Sequence, residues 1–320
     1  MRYLITGGAG FIGGHLTEAL LADESNEVII IDNLSTGLMS NLSSVSNNSR
    51  LQFVEADIVT MKDLEDYVKN VDVIYHLAAA VGVELVVNEP AKTIVTNVHG
   101  SENVINAAVK YDKRIIIAST SEVYGKSFKE KFSETDDLLI GCPTHSRWSY
   151  ACSKLLDEFY LMAHYNSHKL KGTIVRFFNT VGPRQTGQYG MVVPRFVASA
   201  LAGKDLSVYG TGTQSRCFCH VFDTIRALLV LADCPESHGG IYNIGSQHRI
   251  SIEELAKTII KQLDSSSKIK KISYDEAYKK GFEDMMHRAP DTSAIEALIG
   301  WKTKLSLNNI INDVADYIKE

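Results

Sequence analysis

The sequence predicts an α/β fold, a Rossmann-like doubly wound parallel sheet with a smaller α/β C-terminal lobe. Over the first 180 residues, short β-branched runs alternate with segments whose apolar residues recur at helical spacing. A glycine-rich string also follows the first of these runs directly and opens the first helical segment. Strict alternation of strand and helix is typical of a parallel sheet with helices on both faces, joined by right-handed crossovers.

Six buried strands are predicted in this part, because each is a short apolar run bounded by turn residues. They cover Arg2–Thr6, Val28–Ile31, Gln52–Glu55, Val71–His76, Arg114–Ala118 and Thr173–Phe177. Helices are expected between them, the longest near Val98–Val109 and Tyr150–Tyr165. The polar tract Ser35–Arg50 is expected to be an excursion on the surface.

The strict alternation of strands and helices ends after Asn179. Loops, a helix near 194–202 and a second helix near 221–234 are expected there. A strand is expected over Ile241–Ile244. Ser251 and Glu254 have capping-box spacing ahead of a further helix. We therefore expect one domain over residues 1–178, which the chain rejoins near 219–245, and a second lobe over 179–320.

Composition excludes several classes of protein. The 320 residues are 45% hydrophobic and 22% charged, and 33 basic against 38 acidic side chains give a net charge of −5. This is the composition of a soluble globular protein, without the basic footprint of a nucleic-acid-binding protein. The longest apolar stretch is interrupted by charged residues, so no membrane span is expected. With no export signal evident, the five cysteines are expected to be reduced thiols in the cytoplasm, and their spacing does not predict a metal site.

The glycine string Gly7-Gly8-Ala9-Gly10-Phe11-Ile12-Gly13 predicts a dinucleotide site. Its glycines permit a tight turn and close approach of a pyrophosphate, which the amide groups at the helix N-terminus would bind. Asp32 lies at the end of the second strand, where a carboxylate accepts hydrogen bonds from ribose hydroxyls and repels a 2′-phosphate. The predicted cofactor is therefore NAD rather than NADP. The alternative is a structural turn followed by a solvated aspartate.

Tyr150 and Lys154 lie four residues apart, on one face of a predicted helix. A nearby ammonium lowers the pKa of a phenol, which makes the tyrosine a usable base. The pair follows the segment Ser119–Gly125, which brings hydroxyl groups to the carboxyl end of a central strand, where open α/β sheets bind ligands. A tyrosine–lysine pair alone is also common on helix surfaces.

These motifs together resemble the extended short-chain dehydrogenases/reductases, in the group of NAD-dependent sugar-nucleotide epimerases, dehydratases and decarboxylases. The resemblance spans essentially the whole chain. It rests on the glycine string, Asp32, residues 76–79, 119–125, 150–154 and 176–179, and Arg216. It implies that Thr120, Tyr150 and Lys154 are catalytic, and that Asn179 binds the phosphates of a nucleotide sugar.

The predicted binding residues follow from these motifs. The cofactor is assigned Gly7, Gly10, Phe11, Ile12, Gly13, Asp32, Asn33, Asp57, Ile58, Leu77, Ala78, Ala79, Asn97, Tyr150 and Lys154. The substrate is assigned Glu84, Ser121, Asn179, Val193, Tyr209, Arg216 and Arg288. Tyr209 is a candidate for stacking on the nucleotide base or for the core. Arg288 together with Asp291 fits a phosphate and ribose contact of this family, and a surface salt bridge is the alternative.

The segments Ser121–Gly125, Arg147–Tyr150 and Gln214–Phe218 resemble those of UDP-glucuronate decarboxylases. The resemblance implies that Glu122 and Arg216 serve the decarboxylation. If burial raises its pKa, Glu122 is a candidate to protonate C5 of the sugar, although a structural role beside the strand stays open. Arg216 equally fits the arginine that grips the diphosphate in 4-epimerases, so a UDP-sugar 4-epimerase is the alternative. A non-catalytic NAD-binding sensor is a remote one.

Relatives of this fold pair through two long helices that flank the sheet. Here those helices are expected near Val98–Val109 and Tyr150–Tyr165, where Leu155, Phe159 and Met162 recur at helical spacing. We therefore expect a homodimer with twofold symmetry.

Overall fold

The computed structural model describes residues 1–82, 89–187, 191–273, 285 and 287–320. The described strands are β1 (Arg2–Thr6), β2 (Glu27–Asp32), β3 (Leu51–Glu55), β4 (Val73–His76), β5 (Arg114–Thr120), β6 (Gly172–Phe177), β7 (Thr180–Val181), β8 (Leu206–Tyr209), β9 (Ser215–Cys217), β10 (Cys219–His220), β11 (Ile241–Ile244), β12 (Arg249–Ser251) and β13 (Ile269–Ile272). The α-helices are α1 (Phe11–Leu21), α2 (Leu64–Lys69), α3 (Pro90–Lys110), α4 (Trp148–His168), α5 (Val192–Leu201), α6 (Val221–Ala232), α7 (Ile252–Gln262), α8 (Ser293–Ile299) and α9 (Leu307–Lys319).

Seven parallel strands form the central sheet, in the order β11-β6-β5-β4-β1-β2-β3. This confirms the predicted doubly wound α/β fold. The direction of strand order reverses between β1 and β4, so the crevice above their carboxyl ends is where such sheets bind ligands. All six strands predicted in the first part of the chain are present, with boundaries shifted by at most two residues.

Helices cover both faces of this sheet, because its strands are apolar on both sides. One face packs against α1, α6 and α8, and includes Leu16, Ile30 and Leu228. The other packs against α2, α3 and α4, and includes Val104, Ile105 and Leu161. Two layers of helices thus hold the carboxyl ends of the strands at fixed positions.

The remaining strands pair in three short two-stranded sheets, β10 with β7, β12 with β9 and β13 with β8. A separate apolar cluster from α5, α7 and α9 supports them, with Phe196, Leu255 and Ile311 at its centre. Ser251 caps α7 in a complete capping box with Glu254, as its spacing predicts. β11 returns to the large sheet beside β6. The proposed division at residue 178 stays a prediction.

The tract from Ser35 to Arg50 is more than a surface excursion. It contains a 3₁₀ helix, Met39–Val45, which packs against α1 and buries Asn41 and Leu42. The Asn41 side chain donates to the carbonyl of Ala9 at 2.9 Å, so this tract braces the glycine string. None of the described helices is long and apolar enough to cross a membrane.

Candidate active site

A cleft of about 530 Å³ opens above the carboxyl ends of β1, β4 and β5 and extends towards α5 and β8. Its walls come from the first strand–helix turn, the ends of the central strands, the start of α4 and loops of the C-terminal part. This is the position that the strand order predicts for a ligand site. Of the predicted cofactor and substrate residues that the structure describes, all but Asn97 line this one cleft.

Gly7, Gly10 and Gly13 of the glycine string line the bottom of the cleft at the N-terminus of α1, and we call this turn the glycine floor. Gly7 has a φ of +75°, and a Cβ there would lie 2.7 Å from the backbone nitrogen of Ala78. A Cβ on Gly13 would lie 2.3 Å from the carbonyl oxygen of Gly7. Only glycine fits at these two positions. The first turn of α1, at Phe11 and Ile12, lines the cleft, and its amide groups and positive helix end suit a pyrophosphate.

Asp32 ends β2 beside this floor and is buried. Its carboxylate accepts hydrogen bonds from the amides of Ala9 at 2.9 Å and Leu34 at 2.8 Å, while burial raises its pKa. Asn33, Asp57 and Ile58 line the same end of the cleft. A carboxylate in this position fits a dinucleotide whose adenosine ribose has free hydroxyl groups.

Leu77, Ala78 and Ala79 line the cleft after β4, where small side chains let a ligand approach the backbone. Asn97 does not line it. Its Oδ1 accepts from the amide of Ala80 at 2.7 Å, and its Nδ2 donates to Ser153 at 3.0 Å. Asn97 therefore stabilises the backbone behind the cleft wall and does not reach the cleft in this structure.

Tyr150 reaches the end of β5 from the first turn of α4 and hydrogen-bonds the Thr120 side chain. Burial raises the pKa of Tyr150, and the negative charge of Glu122 adds to the effect, which the Thr120 hydrogen bond opposes. The lowered pKa expected for Tyr150 is not found in this structure, because burial and the charge of Glu122 raise it. The Lys154 ammonium donates instead to the carboxylate of Asp157 at 2.7 Å, three residues along the same helix.

Glu122 follows β5 and lies between two guanidinium groups. Arg147 Nη2 donates to its two carboxylate oxygens at 3.2 and 3.4 Å, and Arg288 Nη1 donates to Oε1. Burial alone would raise the pKa of Glu122, but the charges of Arg147 and Arg288 outweigh it and lower the pKa to about 2. The expected raised pKa is therefore wrong, because the two neighbouring cations stabilise the ionised form.

Arg288 also donates to the Asn179 side chain at 2.8 Å, and Asn179 in turn donates to the carbonyl of Cys217 at 2.9 Å. The alternative of a surface salt bridge between Arg288 and Asp291 is wrong, because the Arg288 guanidinium binds Glu122 and Asn179. The contact of Arg288 and Asp291 with a phosphate and ribose stays a prediction. Arg216 lines the cleft and donates to the carbonyl of Met285 at 2.8 Å. Its charge contributes to the low pKa of Glu122.

Ser121, Val193 and Tyr209 line the substrate half of the cleft. The guanidinium of Arg195 lies 4.4 Å from the centroid of the Tyr209 ring and also donates to its hydroxyl. One face of Tyr209 is thereby occupied by a cation. The predicted contact of Glu84 lies outside the described residues.

The chain matches the family model described as GDP-mannose 4,6 dehydratase over residues 4–314. It is 39% identical to the UDP-N-acetyl-alpha-D-glucosaminuronate decarboxylase of Bacillus cytotoxicus, over 100% of this chain and 98% of that protein. It is 35% identical to UDP-glucuronic acid decarboxylase 6 of Arabidopsis thaliana, over 96% of this chain and 85% of that protein. The chain belongs to the family that this GDP-mannose 4,6 dehydratase model describes.

Its fold is shared by the UDP-glucuronic acid 4-epimerase of Bacillus cereus, solved in complex with UDP-glucuronic acid and NAD. The two structures superpose with a TM-score of 0.89 at 28% identity, over 100% of this chain and 99% of the other. The resemblance to NAD-dependent sugar-nucleotide enzymes of the extended short-chain dehydrogenase/reductase type is confirmed.

For a member of this family, three residues at or beside the cleft escaped the sequence-based assignment. Arg147 enters the sequence-based prediction only as part of the Arg147–Tyr150 segment, yet it lines the cleft and pairs with Glu122. Its spacing of three from Tyr150 is the signal that could have indicated this. Asp157 follows Lys154 at a helical spacing that predicts an ion pair, and this signal was available. Arg195 carries no local signal, because its partner Tyr209 lies on a separate strand.

Proposed function

We propose that this chain is an NAD-dependent decarboxylase of a UDP-linked hexuronate. The observation that carries the proposal is the ionised Glu122 between Arg147 and Arg288, directly beside the Tyr150–Thr120 pair. An arrangement of this kind suits a substrate that loses a proton from O4 and a hydride from C4, and then a carboxyl group from C5. The decarboxylase names of both sequence relatives support it.

The glycine floor, Asp32 and the backbone after β4 are the residues that would hold NAD. When bound, NAD would accept a hydride from C4 of the sugar and later return it. Asp32 would repel the 2′-phosphate of NADP, because its carboxylate sits where the ribose hydroxyls would lie. Equal or tighter binding of NADP would contradict this assignment.

The charge of the cleft suits an anionic substrate. Among its described lining residues are six cationic side chains, against the three carboxylates of Asp32, Asp57 and Glu122. The Nε–H of Arg288 is buried and has no hydrogen-bond partner among the described residues. A diphosphate or a sugar carboxylate would satisfy such a donor, since guanidinium groups bind both in a bidentate manner.

Tyr150 would take the proton from O4 as C4 is oxidised, while Thr120 holds the same oxygen by a hydrogen bond. A hexuronate oxidised at C4 is a β-keto acid, because its carboxylate carbon is bonded to C5. It can release carbon dioxide and leave an enolate between C4 and C5. A proton must then reach C5.

Glu122 is ionised, so it is not itself the source of that proton in this arrangement. We assign it the role of holding Arg147 and Arg288 at the reacting carbons and of orienting an ordered water towards C5. The guanidinium charges would also stabilise the enolate, which carries negative charge only after carbon dioxide has left.

The sugar is either UDP-glucuronate or its 2-acetamido counterpart, as the two sequence relatives differ in this respect. A 4-epimerase is the second candidate, supported by the 4-epimerase of the same fold. Incubating the protein with both UDP-hexuronates and reading the products by NMR separates these outcomes. A non-catalytic sensor would leave both substrates unchanged, although the Tyr150–Thr120 pair argues against it.

Glu122→Gln tests the site assignment. The variant should still oxidise C4, visible as absorbance of the reduced cofactor, because Tyr150 and Thr120 remain. Release of the pentose product should fall by about 10²-fold more than this oxidation, because the uncharged side chain no longer holds the two guanidinium groups that stabilise the enolate. If pentose formation stays at the wild-type level, the assigned role of Glu122 is wrong, and if both steps fall equally, Glu122 is structural.

We also propose that the chain forms a homodimer through α3 and α4. Among the described residues, Ile94 and Val95 of α3 and Leu156 and Phe159 of α4 are exposed, with Phe159 exposed to 66%. Two such faces would bury each other about a twofold axis. The cytoplasmic location expected from the sequence stays a prediction that cell fractionation tests.

A further inference from the structure

Arg288 reaches the active site from a segment, residues 287–292, that belongs to no helix or strand. The backbone of this segment is bridged instead to Phe132. The amide of Phe132 donates to the carbonyl of Ala289 at 2.9 Å, and the amide of Asp291 donates to the carbonyl of Phe132 at 2.8 Å. The position of Arg288 therefore depends on how this bridge is held.

A single buried amide, the side chain of Asn243 on β11, joins the bridge to the segment that carries Glu122. Its Nδ2 donates to the carbonyls of Phe132 at 2.9 Å and Asp291 at 3.1 Å. Its Oδ1 accepts from the hydroxyl of Tyr124 at 2.7 Å. Tyr124 lies two residues after Glu122 in the same 3₁₀ turn. One side chain thus bonds both segments that supply the Glu122–Arg288 ion pair.

The chemistry at this position requires an amide. Asn243 is completely buried, and both of its N–H groups and its oxygen are engaged. The carbonyls of Phe132 and Asp291 can only accept, so the nitrogen of the amide must face them. An aspartate would lack the two donors, and an alanine would leave all three partners without their hydrogen bond.

The surroundings of Asn243 are tightly packed. The rings of Tyr124 and Phe132 stack with their centroids 4.8 Å apart, and the ring of Phe178 lies 5.9 Å from that of Tyr124. All three rings are fully buried. Apolar packing is non-directional, whereas hydrogen bonds fix how the two backbone segments are aligned. The amide therefore adds the directional contacts that the cluster of rings cannot supply.

We propose that Asn243 is a positioning residue, whose amide holds the Arg288 guanidinium against the Glu122 carboxylate. Asn243 is not among the residues that line the cleft, so it acts through the backbone of Asp291 on one side and through Tyr124 on the other. This inference rests on the proposed function only in giving the ion pair a task in the reaction, since the contacts are the same whichever reaction is catalysed.

A double-mutant cycle measures how strongly Glu122 and Arg288 stabilise each other. Glu122→Gln, Arg288→Met and the double variant are unfolded in urea, each with and without Asn243→Ala. With Asn243 present the two substitutions should be non-additive, because each removes the same ion pair. With Asn243→Ala the non-additivity should fall, because Arg288 is no longer held at the carboxylate.

Asn26→Ala is the matched control. Asn26 is another buried asparagine, and its Nδ2 donates to the carbonyl of Leu20 at 3.0 Å. It directly precedes β2, at the end of the sheet opposite the cleft. Both alanine variants should lose stability, but only Asn243→Ala should lose non-additivity. An unchanged non-additivity in Asn243→Ala, or an equal loss in Asn26→Ala, would overturn the proposal.

Turnover of a UDP-hexuronate gives a second measurement. Asn243→Ala should lower kcat by about 10²-fold, because a small displacement of a positioned group is that costly, while the affinity for NAD should stay near its wild-type value. Asn26→Ala should keep kcat. A wild-type kcat in Asn243→Ala would overturn the proposal. If the wild-type protein decarboxylates no UDP-hexuronate, the proposed function fails, and the urea cycle still decides the role of Asn243 because it needs no substrate.

Should Asn243→Ala fail to fold, as judged by its thermal unfolding, Tyr124→Phe takes its place. It removes the hydroxyl that binds the amide oxygen and keeps the buried ring. The non-additivity of Glu122→Gln and Arg288→Met should then fall by a smaller amount, because the amide loses one of its three side-chain contacts. An unchanged value in Tyr124→Phe would overturn the proposal.

Discussion

Two arginines decide the charge of Glu122, a carboxylate that burial alone would tend to neutralise. Arg147 comes from the start of α4, whereas Arg288 comes from the C-terminal part of the chain. The site is therefore complete only when both parts of the chain are folded together. In the proposed reaction, Glu122, Arg147 and Arg288 would lie beside the carboxyl group that leaves C5 and the carbon that is then protonated.

The low pKa of Glu122 has a consequence for stability. Its ionised form is favoured by folding, so the stabilisation is fully present above the ordinary pKa of 4.5 and is lost as pH falls towards about 2. The difference in unfolding free energy between wild type and Glu122→Gln should therefore shrink over this range. Urea denaturation of both proteins at several pH values measures it, and a difference that is constant or grows towards low pH would contradict the ion pairs.

Tyr150→Phe should reduce turnover of every substrate by about 10²–10⁴-fold, because the first oxidation needs a base at O4. The melting temperature and the affinity for NAD should change little, since only one hydroxyl is lost. Tyr111→Phe is the control, because its hydroxyl bonds the exposed Glu65 far from the cleft. Turnover of Tyr150→Phe near the wild-type rate would rule out Tyr150 as the base.

Sequence motifs located most of the cleft, but they did not determine the charges within it. Tyr150, Thr120 and Glu122 could be identified because each belongs to a contiguous motif. The pKa values of Tyr150 and Glu122 could not be predicted, because they depend on Asp157 and Arg288. Which partner an ionisable side chain finds is a property of the tertiary structure, so the sequence does not predict the ion pair of Arg288 with Glu122.

At the scale of elements, the turn between β1 and α1 has little space for change. The backbone atoms of Gly7, Gly13 and Ala78 lie so close that side chains are excluded there. Strand and helix boundaries in this half were predictable, because apolar runs and glycine positions are local signals. The 3₁₀ helix over Met39–Val45 was not, since it has no periodic apolar pattern and is held by the long-range contact of Asn41 with Ala9.

Gly13→Ala should lower stability by about 1–3 kcal/mol and weaken NAD binding, because the new Cβ would press against the backbone of Gly7. Thermal unfolding and calorimetric titration with NAD measure the two effects. Gly187→Ala is the matched control, since a Cβ there would lie 3.5 Å from its nearest neighbour, an ordinary contact. Equal behaviour of the two variants would show that the turn tolerates a side chain.

At the scale of the whole molecule, the helices α3 and α4 cover the same face of the sheet and expose apolar residues to solvent. Phe159→Glu should convert the proposed dimer into a monomer at micromolar concentration, because it would place a charged carboxylate on each of the two apolar faces that the dimer buries. Light scattering reports the mass. Phe128→Glu is the control, since Phe128 is 97% exposed on a loop outside this face. A monomeric wild-type protein would remove the proposal.

The most direct test of the proposed reaction is proton NMR of the wild-type protein with NAD and a UDP-hexuronate in deuterated water. Decarboxylation replaces the carboxyl group at C5 by a solvent-derived hydrogen. We expect carbon dioxide and a UDP-pentose that carries one deuterium at C5. A product that keeps its carboxyl group, differs from the substrate only in configuration at C4 and carries no deuterium at C5 would contradict the account and identify an epimerase.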